Sequence, residues 1–102
     1  MNIETIISKK QLEDICRKYH VTELSVFGSV LTKNFRKDSD IDFLVSFDEK
    51  GIDLLEYADN YFGLLEELEK ITSRKVDLVE KKSLSNPFFI EELEETKQVI
   101  YG

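Results

Sequence analysis

Two short motifs contain the side chains best suited to chemistry. Gly28-Ser29 follows a short apolar run, and ten residues later Asp40 and Asp42 begin the apolar run IDFLVSF. Side chains alternate between the two faces of a strand, so both carboxylates lie on one face, with Cα atoms about 6.5–7 Å apart. Two neighbouring carboxylates repel each other unless a cation lies between them. Mg²⁺ prefers oxygen ligands of this kind, so the pair predicts a magnesium site.

A third carboxylate occurs further along the chain. Asp77 lies in KVDLVE, residues 75–80, where Val76 and Leu78 would face the opposite side of a strand. If this strand lies beside the one that follows Asp40, the three carboxylates share a face. Such a triad can hold two Mg²⁺ ions about 3.5–4 Å apart, the spacing used for phosphoryl transfer. The alternative is that Asp77 is an exposed strand residue without a chemical role.

The residues between these motifs are suited to binding phosphate. Gly28 allows close approach of the backbone, and the amide groups and hydroxyl of Ser29 at a helix start can hold phosphate oxygens. Lys33 and Arg36 lie in the following loop, where their charges would neutralise a triphosphate. For Ser29, a simple helix-capping role is the alternative.

Helical and strand patterns alternate along the chain and position these motifs. Ser8 and Gln11 form a capping box at the start of the first helix. The pattern predicts, in order, helix 8–19, strand 24–27, a helical turn and loop over 30–39, strand 41–47, helix 53–71, strand 75–80 and a last helix that begins at Asn86-Pro87. We expect the buried side of that last helix to include Phe89, Ile90, Leu93 and Ile100.

This alternation predicts an α/β (α+β) layer structure. The link between the first two strands is only about a dozen residues long, which is short for a parallel crossover. We therefore expect a small mixed three-stranded sheet with flanking helices. The 102 residues are enough for one domain, residues 1–102, with a core of its own.

The composition limits the partners and the compartment. The 14 Lys and Arg against 21 Asp and Glu give a net charge of −7. This charge repels phosphate backbones, so we expect no extended nucleic-acid surface, and it favours a partner with a basic face. No apolar run approaches the roughly 18 residues of a membrane span. The N-terminus lacks the basic-then-apolar order of a secretory signal. The single cysteine cannot form an internal disulfide, so it needs no oxidising compartment. We therefore expect a cytoplasmic protein without membrane association.

The segments VFGSV, SDIDFLV, SRKVDLVE and the closing IYG resemble those of the polymerase-β-like nucleotidyltransferases. The resemblance covers nearly the whole chain and is closest to the minimal nucleotidyltransferases, the antitoxin partners of HEPN toxins. It implies that Asp40 and Asp42 bind metal, that Asp77 completes the site as ligand or base, and that Gly28 and Ser29 contact the phosphates of ATP. In such pairs the antitoxin is held to transfer AMP from ATP to a tyrosine of the HEPN RNase.

The chain departs from this family pattern directly after Gly28-Ser29. Many relatives carry Arg and Gly there, whereas this chain has VLTK, residues 30–33, so that Lys33 or Arg36 would have to replace the arginine. The departure leaves open a second function, an antitoxin that blocks its partner by contact alone. A transferase for small molecules is less consistent with the length, because larger members of the superfamily hold such acceptors with an additional helical domain.

Overall fold

A computed structural model describes residues 3–102 and shows strands and helices in alternation. The helices are α1 Lys9–Lys18, α2 Tyr57–Thr72 and α3 Pro87–Thr96; the strands are β1 Val21–Phe27, β2 Ile41–Phe47, β3 Val76–Glu80 and β4 Gln98–Tyr101. Short 3-10 turns connect several of these elements, and one of them, Gly28–Leu31, directly follows β1.

The strands form one mixed sheet in the order β3-β2-β1-β4. β1 pairs antiparallel with β2 and with β4, whereas β2 and β3 are parallel. A parallel pair needs a crossover connection, and α2 provides it. The predicted α/β class with a mixed sheet is therefore confirmed, and the short link between β1 and β2 joins an antiparallel pair.

The two faces of the sheet are covered differently. Ile41, Phe43 and Val45, alternate residues of β2, are buried in a core with apolar side chains of α1 and α2. On the opposite face α3 contacts β1, where the rings of Phe27 and Phe89 meet edge to face with centroids 6.5 Å apart. The polar residues of β2 project towards this second face, because side chains alternate along a strand.

Side chains of α2 cover the outer edge of β3. The Tyr61 hydroxyl donates a hydrogen bond to the Leu78 carbonyl, and the Val76 amide donates one to Glu69 Oε2 over 3.1 Å. Main-chain groups at the edge of a sheet lack a partner strand, so these side chains satisfy groups that would otherwise be open. The contacts also fix α2 against the strand that carries Asp77.

The sequence pattern predicts three strands, and the structure shows a fourth. α3 ends at Thr96 and Gln98–Tyr101 pairs with β1, so Ile100 lies in a strand and not on the buried side of a helix. The β-branched and aromatic residues of QVIY favour a strand, and their pairing covers the edge that β1 would otherwise expose. Leu93 of α3 is buried as expected, whereas Phe89 is 38% exposed.

Some helix and strand ends differ from the predicted ones. The capping box of Ser8 and Gln11 is confirmed, with both hydrogen bonds at 3.1 Å. α2 begins at Tyr57 because Asp53 caps a separate 3-10 turn, Leu54–Glu56, whose two leucines are 86% and 90% exposed. β1 begins earlier than predicted. In the described part of the chain no helix is long and apolar enough to cross a membrane.

Candidate active site

The three predicted acids meet where β2 and β3 begin. Asp42 and Asp77 are paired residues of the parallel ladder, so their side chains project from the same face of neighbouring strands. Neighbouring strands lie about 4.7–4.9 Å apart, which places the two carboxylates side by side. Asp40 lies just before β2, close enough for its charge to act on Asp42. The structure therefore places Asp42 and Asp77 side by side, with Asp40 near Asp42.

Gly28 lies directly against the Asp42 carboxylate. Phe27 and Asp42 are partners across the antiparallel pair of β1 and β2, so the chain turns at Gly28 beside the acid. Gly28 has a φ of 74°, and a Cβ atom built on it would overlap Asp42 Oδ2. A side chain here would be strained and would displace the carboxylate, so glycine is required at this turn.

Asp42 is the least exposed of the three acids. Its side chain is half-buried, whereas Asp40 and Asp77 are exposed. Burial raises the pKa of the Asp42 carboxyl, and the negative charges of Asp77 and Asp40 raise that pKa further. The charged form of Asp42 is therefore disfavoured unless a cation lies nearby.

The carboxylate oxygens of the three acids are of the type that binds a hard divalent cation together with a phosphate substrate. Within residues 3–102, no group of three or more His, Cys, Asp and Glu side chains is placed so that it could hold a metal ion. Mg²⁺ typically binds one or two carboxylates and completes its coordination with water and substrate phosphates. Asp42, beside Asp77 and Asp40, supplies such carboxylate oxygens. The turn at Gly28 carries no side chain next to the Asp42 carboxylate.

Ser29 lies in the short turn after β1 and is half-buried. Phe27, not Ser29, occupies the capping position of this turn, so Ser29 does not have the capping role considered as an alternative. The Ser29 carbonyl accepts hydrogen bonds from the amide and the hydroxyl of Thr32, at 2.9 and 2.8 Å. These two bonds fix the turn that places Ser29 next to Gly28.

The two predicted phosphate-binding cations are exposed side chains of the loop before β2. Neither Lys33 nor Arg36 forms an ion pair with the three acids in the described part of the chain. Their charges thus remain available to a ligand, but the structure does not bring them into contact with the triad. Val30, in the segment that departs from the family pattern, is fully buried and packs in the core.

An arginine that the sequence analysis did not single out holds this loop. Arg74 Nη1 donates hydrogen bonds to the carbonyls of Arg36, Lys37 and Ser39 at 2.6, 3.0 and 3.0 Å. The loop and Arg74 are 35 to 38 positions apart in sequence, and the contacts join a side chain to main-chain oxygens. Periodicity and motif spacing carry no signal for contacts of this kind.

An open cleft adjoins the glycine turn. It has a volume of about 630 Å³ and lies between the end of β1 and α3. Its walls are mainly apolar and include Phe27, Leu31, Phe89 and Leu93, with Gly28 at the side facing the acids. The cleft therefore offers a mostly apolar surface beside the glycine turn.

Comparison with known proteins identifies the family of the chain. Residues 8–100 match the model of the nucleotidyltransferase domain family. A candidate protein adenylyltransferase of Methanocaldococcus jannaschii is 41% identical over 87 residues, which cover 85% of this chain and 81% of the relative. The protein adenylyltransferase MntA of Thermococcus cleftensis is 37% identical over 91 residues, covering 82% of this chain and 79% of the relative.

Solved structures share the fold. A structure described as a minimal nucleotidyltransferase superposes with a TM-score of 0.73 at 30% identity and covers 96% of this chain and 95% of its own. The MNT antitoxin bound to a tri-AMPylated Shewanella oneidensis HEPN toxin has a TM-score of 0.55 at 19% identity, with 92% of this chain and 69% of that chain covered, which shows the fold alone. The chain therefore belongs to the nucleotidyltransferase domain family and is a nucleotidyltransferase of the minimal type.

Proposed function

We propose that this nucleotidyltransferase transfers AMP from ATP to a tyrosine hydroxyl of a HEPN-family toxin and thereby acts as its antitoxin. The observation that carries the proposal is the pairing of Asp42 with Asp77, next to Asp40 and directly against the turn at Gly28. Two comparisons support the choice of donor and acceptor. The relatives are named as protein adenylyltransferases, and the Shewanella antitoxin is bound to an AMPylated HEPN toxin.

In this proposal Asp40 and Asp42 hold Mg²⁺, and Asp77 completes the site as a further ligand or as the base. Two bound Mg²⁺ ions would neutralise the triphosphate and stabilise the charge that develops on the leaving pyrophosphate. The Ser29 hydroxyl and the main-chain amides of the glycine turn bind phosphate oxygens. Lys33 and Arg36 approach the outer phosphates from their loop and replace the arginine found in many relatives.

The reaction forms one bond and breaks another at the α-phosphorus of ATP. The acceptor oxygen attacks that phosphorus, the bond to the oxygen shared with the β-phosphate breaks, and pyrophosphate leaves with the electron pair. The acceptor proton passes to Asp77, directly or through water, if Asp77 is the base. Holding the acceptor in line with the leaving group is the main requirement of such chemistry.

The acceptor arrives as part of a partner protein. The cleft beside Gly28 provides space for an acceptor side chain, and the exposed Glu91, Glu92 and Glu95 of α3 favour a basic surface around it. The net charge of −7 opposes an extended nucleic-acid surface. With ATP as donor and a single buried thiol, Cys16, the cytoplasm is the expected compartment.

Mass spectrometry of the partner tests the proposal. Incubation with Mg²⁺, ATP and the HEPN partner should increase the partner's mass by about 329 Da for each AMP group. The double variant Asp40→Asn and Asp42→Asn should bind the partner without changing its mass, and trace amounts of it should not silence the partner's RNase activity. If this variant silences the partner as well as wild type at every ratio, the protein blocks by contact alone and the transferase proposal is wrong.

A further inference from the structure

Arg74 lies between α2 and β3, and its side chain crosses to the loop before β2. Its Nη1 donates hydrogen bonds to the carbonyls of Arg36, Lys37 and Ser39. The guanidinium carbon also lies 4.3 Å from the centroid of the Phe35 ring. The two N–H groups of Nη1 thus share three main-chain oxygens, while the face of the guanidinium lies over an aromatic side chain of the same loop.

Besides Arg74, the loop is held by hydrogen bonds at its two ends, by bonds between Arg36 and Ser39 and by the packing of Phe35 against the core. At its start Thr32 Oγ1 donates to the Ser29 carbonyl over 2.8 Å, and just after its end the Ile41 amide donates to the Lys75 carbonyl over 3.1 Å. Between these points, every hydrogen bond that reaches the loop from another segment of the described chain comes from Arg74. The middle of the loop is therefore tied to other segments by the hydrogen bonds from Arg74 and by the packing of Phe35 against the core.

We propose that Arg74 is a positioning residue that fixes Asp40 relative to Asp77. The Ser39 carbonyl, which Arg74 binds, belongs to the residue before Asp40, and Arg74 itself precedes Asp77 by three positions. One side chain thus connects the segments that carry two of the three acids. The inference rests on the function proposed above, since it takes these acids to hold the metal and the nucleotide.

The contacts of Arg74 distinguish this role from direct binding of phosphate. Its Nη1 is already bound to three carbonyls, one face lies on Phe35, and the residue is half-buried. Lysine would keep the charge and could donate from its single nitrogen, but its side chain is one bond shorter and has no planar face to lie on the Phe35 ring, so it cannot reproduce all of these contacts. A residue needed only for its charge would tolerate lysine, whereas a residue needed for its shape would not.

Limited proteolysis with trypsin tests the anchor without any assay of activity. The loop contains three exposed cleavage positions, after Lys33, Arg36 and Lys37. In Arg74→Ala and Arg74→Lys we expect cleavage in the loop to rise by about tenfold, the factor for one net hydrogen bond lost, while cleavage after Lys10 in α1 stays unchanged. Lys75→Ala removes an exposed neighbouring charge and should behave as wild type.

Two outcomes of the proteolysis experiment would overturn the inference. Unchanged cleavage in the loop would show that Arg74 does not hold it. An equal rise at Lys10 and in the loop, with a lower melting temperature, would show that Arg74 only stabilises the fold as a whole.

Metal binding and transfer test the consequence for the site. In Arg74→Lys we expect weaker binding of Mg²⁺ in the presence of ATP by calorimetry and a loss of about 10- to 100-fold in kcat/KM, because small displacements of a reacting group are costly. Unchanged values of both quantities, despite a loosened loop, would overturn the positioning role. If wild type binds Mg²⁺ and ATP but transfers no AMP, the proposed function fails, while weaker Mg²⁺ binding in Arg74→Lys still supports the positioning role.

Discussion

Replacing Gly28 by alanine tests the contact between the glycine turn and the acid in the most direct way. The left-handed conformation at a φ of 74° costs a residue with a side chain about 1–2 kcal/mol. The new Cβ would also overlap Asp42 Oδ2, and moving that carboxylate from its preferred rotamer costs about 0.5–1.5 kcal/mol. Together these effects lower the free energy of unfolding by about 1.5–3.5 kcal/mol, which corresponds to about 6–28 °C in Tm.

Activity should decrease by more than this loss of stability accounts for. A displacement of the Asp42 carboxylate by about 1 Å can lower kcat/KM by about 100-fold even in the folded protein. Thermal unfolding followed by circular dichroism and AMP transfer measured well below the Tm separate the two effects. Gly51→Ala is the matched control, because Gly51 lies at a turn away from the site without a positive φ and its Cβ would meet only side-chain atoms.

A double-mutant cycle decides whether the overlap with Asp42 is real. In an Asp42→Ala background the overlapping oxygen is absent, so Gly28→Ala should cost about 0.5–1.5 kcal/mol less than it does in wild type. An equal cost in both backgrounds would refute the steric argument. A cost near zero in wild type would refute the argument from the backbone conformation as well.

Three further predictions concern the acids. Without metal, the double variant Asp40→Asn and Asp42→Asn should melt at the same temperature as wild type or higher, because two like charges are removed. Calorimetry should show that this variant no longer binds Mg²⁺-ATP. Unchanged ATP affinity would exclude the pair from the metal site. Asp77→Asn should lower kcat more than nucleotide affinity, whereas equal losses would make Asp77 a binding ligand only. Because folding raises the pKa of Asp42, its contribution to the stability of the metal-free protein is present at low pH and is lost as the pH rises through that pKa. The melting temperatures of wild type and Asp42→Asn should therefore converge at acid pH, with the variant more stable near neutrality, and a difference independent of pH would contradict the assignment.

The order of elements up to α3 could be predicted from the sequence because each depends on local signals. Periodicity and capping residues mark the helices, and IDFLVSF marks β2. β4 could not be predicted in the same way, since its four residues follow a helical pattern and become a strand only by pairing with β1. The residues of QVIY favour a strand, but a run of four is too short to be told from the end of the preceding helical pattern.

The grouping of the acids was predictable for the same reason that the strands were. Alternation along a strand predicts Asp40 and Asp42 on one face, but β2 begins only at Ile41, so Asp40 lies just before the strand. The position of β3 beside β2 had to be assumed to add Asp77. The anchoring of the loop by Arg74 depends on main-chain oxygens, which every residue has, so no residue type reveals it. The roles of the acids, of Ser29 and of the loop cations remain predictions that the experiments above address.

Tyr61 and Glu69 cover part of the β3 edge and so limit the addition of a strand from another protein at that edge. An open edge strand is a template on which a second chain can add a strand, either in a specific complex or in aggregation. Here the Val76 amide and the Leu78 carbonyl are already bound by side chains of α2. A strand added along β3 would have to displace these two bonds, so side-chain surfaces and the short β4 edge are easier for a partner to contact, and strand pairing along the edge beside Asp77 is disfavoured.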